Sequence, residues 1–218
     1  MSLQNEIQVL MGELGEKVPA EMMEKVGAFI GRLARDDVAK NACKIGDKAP
    51  DFSLNGTSGH TIALAELLNK GPIVVTFFRG EWCPFCDLEL RAYQKDLAKF
   101  TAHGASLVAI SPQSAGNNAS TAKNKSLGFE VLADPGNKVA KAYGIAFSMS
   151  AAEQELYKDF GTDLPSINGA ADWDLPVPAT FVIDRAGRIA WAHVDSNYTT
   201  RAEPADVLAA LAALPGAH

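Results

Sequence analysis

Apolar positions along the chain alternate between helical and strand spacing, and the switches mark its elements. Leu3, Ile7, Leu10 and Leu14 recur three or four apart across residues 3–14. Met22, Val26, Phe29, Ile30 and Leu33 do the same across residues 19–40, so two amphipathic helices open the chain. Pro19 suits the first turn of the second helix. Each stripe needs cover, either from the domain that follows or, as a dimerisation arm, from a second copy of the chain. Ser53-Leu54 and His60–Ala63 flank a glycine-bounded turn, which predicts a small hairpin. A short helix over 64–68 then stops at Gly71-Pro72.

The next run, Ile73-Val-Val-Thr-Phe-Phe78, is apolar but for Thr76, rich in β-formers, and predicts a buried strand. After a short turn the period becomes helical, with Leu90, Tyr93, Leu97 and Phe100 in register and Gly104 placed to end the run. Ser106–Ile110 is a second continuous apolar strand, so strand, helix and strand form a βαβ unit with parallel pairing. A polar helix over 115–127, a strand over 130–133 and a helix capped by Asn137 and ending at Gly144 follow. Residues 147–176 interrupt this rhythm. Ser150 and Glu153 read as a capping box for a helix to Phe160, and 161–174 reads as loop, packed as an insertion near the cysteine turn described below. Leu175–Asp184 forms a third strong strand, Ile189–Val194 its antiparallel hairpin partner, and Pro204 opens a last helix. The order implies an α/β protein with a mixed sheet flanked by helices, a helical arm over 1–42 and one domain over 43–218.

The 218 residues carry a net charge of −6 and no basic patch with interleaved aromatics, which argues against nucleic-acid binding. No apolar run reaches a membrane span, and the N-terminus lacks the layout of a signal peptide. Three cysteines do not make a secreted disulfide framework, so the expected address is the cytoplasm, where a thiol pair is more often catalytic than structural.

The chemistry concentrates in Arg79-Gly-Glu-Trp-Cys-Pro-Phe-Cys86. Cys83 and Cys86 fall where a strand hands over to a helix, and unpaired N–H groups and the helix dipole there favour a thiolate. Their spacing suits a disulfide within one helical turn. One CxxC with neither a second pair nor paired histidines makes a poor zinc site, and two inert buried thiols would leave the placement unexplained. Arg79 is the candidate cation for lowering a thiol pKa. Trp82, Pro84 and Phe85 are expected to wall the pair, with Glu81 turned to solvent. Cys43 is either a distant resolving thiol or a spectator. The four histidines, His60, His103, His193 and His218, show no spacing to the cysteines that a triad or metal site requires. Thiol chemistry of this kind calls for no cofactor and no metal.

The element order resembles a thioredoxin fold. Lys44-Ile-Gly-Asp-Lys-Ala-Pro-Asp-Phe-Ser-Leu54, Phe77-Phe78, Ala109-Ile-Ser-Pro112, Ala133-Asp-Pro135 and Thr180-Phe-Val-Ile-Asp184 are similar to the peroxiredoxins of the alkyl hydroperoxide reductase/thiol-specific antioxidant family. The Arg-Gly-Glu-Trp-Cys-Pro-Phe-Cys version resembles the branch that carries a thioredoxin-type CxxC. The resemblance implies reduction of hydrogen peroxide or organic hydroperoxides, with recycling by an external thioredoxin- or glutaredoxin-like dithiol. Ungapped counting from Phe77-Phe78 sets Cys86 on the peroxidatic cysteine, Cys83 on the family's Thr/Ser and Arg79 on its proline. The family's second arginine falls on Pro178. That proline instead resembles the one, cis in thioredoxins, that faces the CxxC, so a cis Val177–Pro178 bond beside the pair is expected. Two other activities fit the same frame: a disulfide reductase, in which Cys83 attacks and Cys86 resolves, and a non-catalytic redox sensor.

Overall fold

The expected elements are present in a computed structural model that describes residues 1–215, so His218 lies outside the described residues. In chain order they are α1 (Leu3–Lys17), α2 (Ala20–Arg35), β1 (Ser53–Gly56), β2 (Thr61–Ala63), α3 (Leu64–Lys70), β3 (Ile73–Phe77) and α4 (Pro84–Ala102). Then come β4 (Ser106–Ser111), α5 (Ala115–Asn124), β5 (Glu130–Ala133), α6 (Lys138–Ala142), β6 (Ala146–Ser148), α7 (Ala151–Asp159) and α8 (Leu164–Asn168). β7 (Asp174–Pro176), β8 (Ala179–Ile183), β9 (Ile189–Val194) and α9 (Pro204–Ala212) complete the described elements.

Every position of β3 is buried, because the strand lies inside the sheet with helices over both faces. The strand order is β2-β1-β5-β4-β3-β8-β9. β3, β4 and β5 run parallel, whereas β8 lies antiparallel to β3, with Phe77 opposite Ala179. This is the mixed sheet expected from the sequence, flanked by helices, with the N-terminal helices added. Phe77 meets Tyr143 and Phe181 at ring-centroid distances of 5.0 and 6.1 Å, so the sheet's centre is aromatic near the end from which the cysteine turn leaves.

The helical arm folds back on its own chain. α1 packs on α4 and α2 on α7, and Leu3, Ile7, Phe29 and Leu33 join the same apolar core as the sheet. Arg32 of α2 forks onto the Glu153 carboxylate at 2.5 and 2.8 Å. Glu153 in turn accepts from the Ser150 amide at 2.7 Å, which completes the expected capping box of α7. The second helix is shorter than its expected 19–40 span. It ends at Arg35, and Asp37 takes a left-handed φ of 45° in the turns that follow.

Four further expectations are corrected. α5 stops at Asn124 instead of reaching Leu127, since Ser126 turns left-handed at φ 52°. Asn137 does not cap α6 with its side chain; it is itself left-handed, and its amide donates to the Asp174 carbonyl at 2.9 Å. Asp134 does the capping, accepting from the Val139 and Ala140 amides at 3.0 Å each. The presumed loop over 161–174 contains α8, begun by Pro165 near its first turn and ended by left-handed Gly169. Finally, no described peptide bond is cis, so Val177–Pro178 is trans. Trans is the lower-energy form even before proline. Here the extended chain passes from β7 to β8 with Val177 N–H bonded to the Ile145 carbonyl at 2.7 Å. Pro178 is buried one residue beyond the Phe77–Ala179 pair, at the sheet end from which the cysteine turn leaves.

Candidate active site

The site forms where β3 hands over to α4. Phe78 still bonds to β4, its amide donating to the Ile110 carbonyl at 3.0 Å, and then the chain leaves the sheet. Gly80 is required at the bend, because a Cβ there would fall on the indole ring of Trp82. Cys83 is the N-cap residue of α4, Pro84 occupies the first turn, and Cys86 lies one turn in. Both thiols are free and fully buried.

Each sulfur has its own guanidinium. Arg79 Nη2 donates to Cys83 Sγ at 3.3 Å, and Arg201 Nη2 donates to Cys86 Sγ at 3.3 Å. Arg79 is only 3% exposed, yet it is not held by a carboxylate. Its Nη1 donates to the Tyr157 hydroxyl at 2.6 Å, while its carbon centre lies 3.8 Å from the Tyr198 ring and 4.9 Å from the Trp82 ring. Aromatic faces thus replace water around this cation. Arg201 donates to the carbonyls of Tyr198 and Thr200 and sets its Nε 2.9 Å from Glu89 Oε2, a contact too poorly aligned to count as a hydrogen bond. Below Glu89, Thr76 and Thr180 share a hydrogen bond of 3.0 Å, and Tyr93 reaches Thr180 at 3.1 Å.

Two cations therefore face one carboxylate and two thiols, so a single thiolate makes the buried cluster neutral. Burial pushes the Cys83 thiol up, but a hydrogen bond from Cys86 and the charges of Arg79 and Arg201 outweigh it and hold Cys83 well below its usual value. Burial, the hydrogen bond to Cys83 and the Cys83 charge together drive Cys86 well above its own. The two shifts are opposite in direction, as for a coupled pair that shares one negative charge. This charge distribution runs against the ungapped count, which sets the attacking sulfur at Cys86. Burial also pushes Glu89 up to about 7, with Arg201 opposing the shift.

Of the residues singled out from the sequence, Cys83, Cys86, Arg79, Trp82, Pro84 and Phe85 come together. Glu81 is half-buried and turns away from the sulfurs to α5, its carboxylate accepting from Asn124 at 2.9 Å and Thr121 at 3.3 Å. Cys43 packs against the end of α6, with Sγ 3.9 Å from the Ala142 carbonyl. Neither His60, His103 nor His193 hydrogen-bonds to a thiol. Sequence reasoning missed Glu89, Tyr157, Tyr198 and Arg201. Glu89 offered a signal, being a carboxylate one turn beyond Cys86 on the buried side of α4. Arg201, in the connection between β9 and α9, offered none.

The model of the AhpC/TSA family matches residues 45–192. The chain belongs to that family. A chloroplastic peroxiredoxin Q of Triticum aestivum is 26% identical over 179 residues, covering 82% of this chain and 72% of the relative. A putative peroxiredoxin of Mycobacterium tuberculosis is 27% identical over 154 residues, covering 71% and 87%. Among solved structures, the peroxidoxin BcpB of Mycobacterium tuberculosis superposes with a TM-score of 0.62 at 22% identity, over 79% of this chain and 99% of that one. The family match begins after the helical arm and ends before Arg201.

Proposed function

We propose that the protein is a thiol-dependent peroxidase that reduces hydrogen peroxide or organic hydroperoxides through Cys83 and Cys86. The observation that carries this reading is the polarised pair: two buried sulfurs one helical turn apart, each against its own guanidinium, on a peroxiredoxin frame. The thiolate attacks the terminal peroxide oxygen, the O–O bond breaks, and the leaving alkoxide takes a proton to depart as alcohol or water. The sulfur becomes a sulfenic acid. The second thiol attacks it, a disulfide forms and water leaves. An external dithiol of the thioredoxin or glutaredoxin kind then reduces the disulfide and is itself oxidised. Both thiols come from one chain, so the cycle needs no second subunit, although a homodimer remains compatible with it. The reducing partner and the free thiols fit the cytoplasm, and no described helix is long and apolar enough to cross a membrane.

In our reading Cys83 attacks and Cys86 resolves, supported by the depressed Cys83 pKa and its contact with Arg79. A second reading, with Cys86 attacking, draws on the ungapped count and on Arg201. Arg201 supplies beside Cys86 the cation that this chain lacks at Pro178. Single-turnover stopped-flow fluorescence against hydrogen peroxide, followed by steady-state consumption with a thioredoxin system, tests the activity. Rapid oxidation with turnover is expected. A disulfide that forms without turnover would instead indicate a sensor, and turnover of protein disulfides alone would indicate a reductase.

A further inference from the structure

A cavity of about 260 Å³ opens beside the cysteine turn, and the helical arm builds one wall of it. Met11 and Leu14 on α1, Val18 at its C-cap, and Met23, Val26 and Ile30 on α2 recur three and four apart, so the edge of each helix's apolar face that is not sunk in the core forms a row of its own. The core leaves these side chains half-buried, and they line the cavity. Trp82, Phe85 and Tyr198 form the opposite wall. The charged side chain in the lining is Arg79, which also donates to the Cys83 sulfur. An apolar chamber with a cation at the reacting sulfur suits a molecule with an apolar tail and a small polar reactive head. At about 30 Å³ per water-sized group, the volume holds roughly nine heavy atoms.

We infer that the N-terminal helices form a tail-binding pocket that makes straight-chain alkyl hydroperoxides of about six to eight carbons better substrates than hydrogen peroxide. This inference rests on the thiol-peroxidase reading of the same site. The tail lies between the two arm helices and the Trp82–Phe85 wall, and the hydroperoxide group points past Arg79 to the thiol pair. The arm lies outside the stretch that matches the family, so the selectivity belongs to this chain's own addition.

The test is the second-order rate constant for thiol oxidation, read by tryptophan fluorescence, with hydrogen peroxide and with ethyl, butyl, hexyl and octyl hydroperoxides. Full transfer of a methylene from water gains about fourfold, so a rise of about twofold or more per carbon up to the longer chains is expected. Val26→Trp and Leu14→Glu, on different helices, should flatten the slope of log rate against chain length. That slope is compared within each protein, so any general loss of activity cancels. A flat slope in the wild type overturns the pocket, and so does a slope that stays steep in both variants. If no peroxide oxidises the pair, the peroxidase reading and this substrate assignment fall together. Calorimetry with the redox-inert octan-1-ol then judges the pocket alone. Saturable binding weakened by Val26→Trp supports it, and absent or unaltered binding overturns it.

Discussion

Arg79→Met isolates the charge at the centre of the proposed mechanism. Methionine keeps an unbranched apolar stem among Tyr198, Trp82 and Tyr157 but removes the guanidinium 3.3 Å from Cys83 Sγ. Two unit charges about 4 Å apart attract by about 4 kcal/mol at an effective dielectric near 20. Arg201 and rearranged water recover some of that, which leaves a loss of about 2 kcal/mol in thiolate stabilisation, or roughly thirtyfold. A more basic thiolate is also more nucleophilic, which softens the effect on rate towards about tenfold. Ultraviolet titration of the thiolate should therefore show a higher midpoint in Arg79→Met, and peroxide oxidation near neutral pH should slow by roughly ten- to thirtyfold. Stability should change little. The Tyr157 hydrogen bond is lost, but so is the burial of a cation whose Nε has no partner. Arg79→Lys should recover part of the rate, because it restores the charge without the planar fork. If the titration midpoint and the rate stay at wild-type values while the variant remains folded, Arg79 does not hold the thiolate and the mechanism is wrong at its first step.

Three other outcomes follow from the same geometry. With peroxide, Cys86→Ser should accumulate a dimedone-reactive sulfenic acid on Cys83, and wild type should give a Cys83–Cys86 disulfide with Cys43 free on non-reducing peptide mapping. Fast oxidation with label on Cys86 in Cys83→Ser, but none in Cys86→Ser, would reverse the two roles. Glu89→Gln should remove an inflection near pH 7 from the rate profile, because Glu89, pushed up to about 7, ionises there beside the thiols. Its folded pKa lies above the unfolded value near 4.5, so its stabilising contribution is full below about 4.5 and is lost as pH rises through 7. Relative to wild type, Glu89→Gln should accordingly gain stability between pH 5 and pH 8 in urea titrations, and a constant difference across that range would refute the assignment. Leu33→Ala should lower unfolding free energy by about 2–5 kcal/mol, since Leu33 is fully buried where the arm meets the core. A loss below about 1 kcal/mol would mean that the arm is only loosely attached.

What the sequence determined is local. Ile73–Phe77 carries only one polar residue, the β-branched Thr76, and no polar–apolar alternation, so it reads as an interior strand; Pro84 and the spacing of Leu90, Tyr93 and Phe100 set the helix behind it. Those two neighbours alone put Cys83 at a helix N-cap and Cys86 one turn on, whatever the rest of the chain did. The errors arose where short-range preference met a distant partner. Asn137 has a capping residue's chemistry, but Asp134 holds the amides of α6 and Asn137 is drawn to Asp174. Pro178 could take either isomer, and the pairing of Val177 with Ile145 set the chain into an extended trans path.

Only the tertiary structure decided which charges surround the sulfurs. Arg201 stands 115 positions from Cys86, in a stretch without helical or strand periodicity, and nothing near it in the sequence announces a ligand. Folding brings it over the N-terminal turns of α4, where Glu89 and the thiol pair make a buried cation tolerable. Tyr157, from the insertion, and Tyr198, from the same connection as Arg201, likewise become a site only by enclosing Arg79. Periodicity reports which face of an element is buried. The electrostatics of the pair depend on elements far apart in the sequence closing over one helix end, because a charge acts through space at a few ångströms whatever the length of chain between.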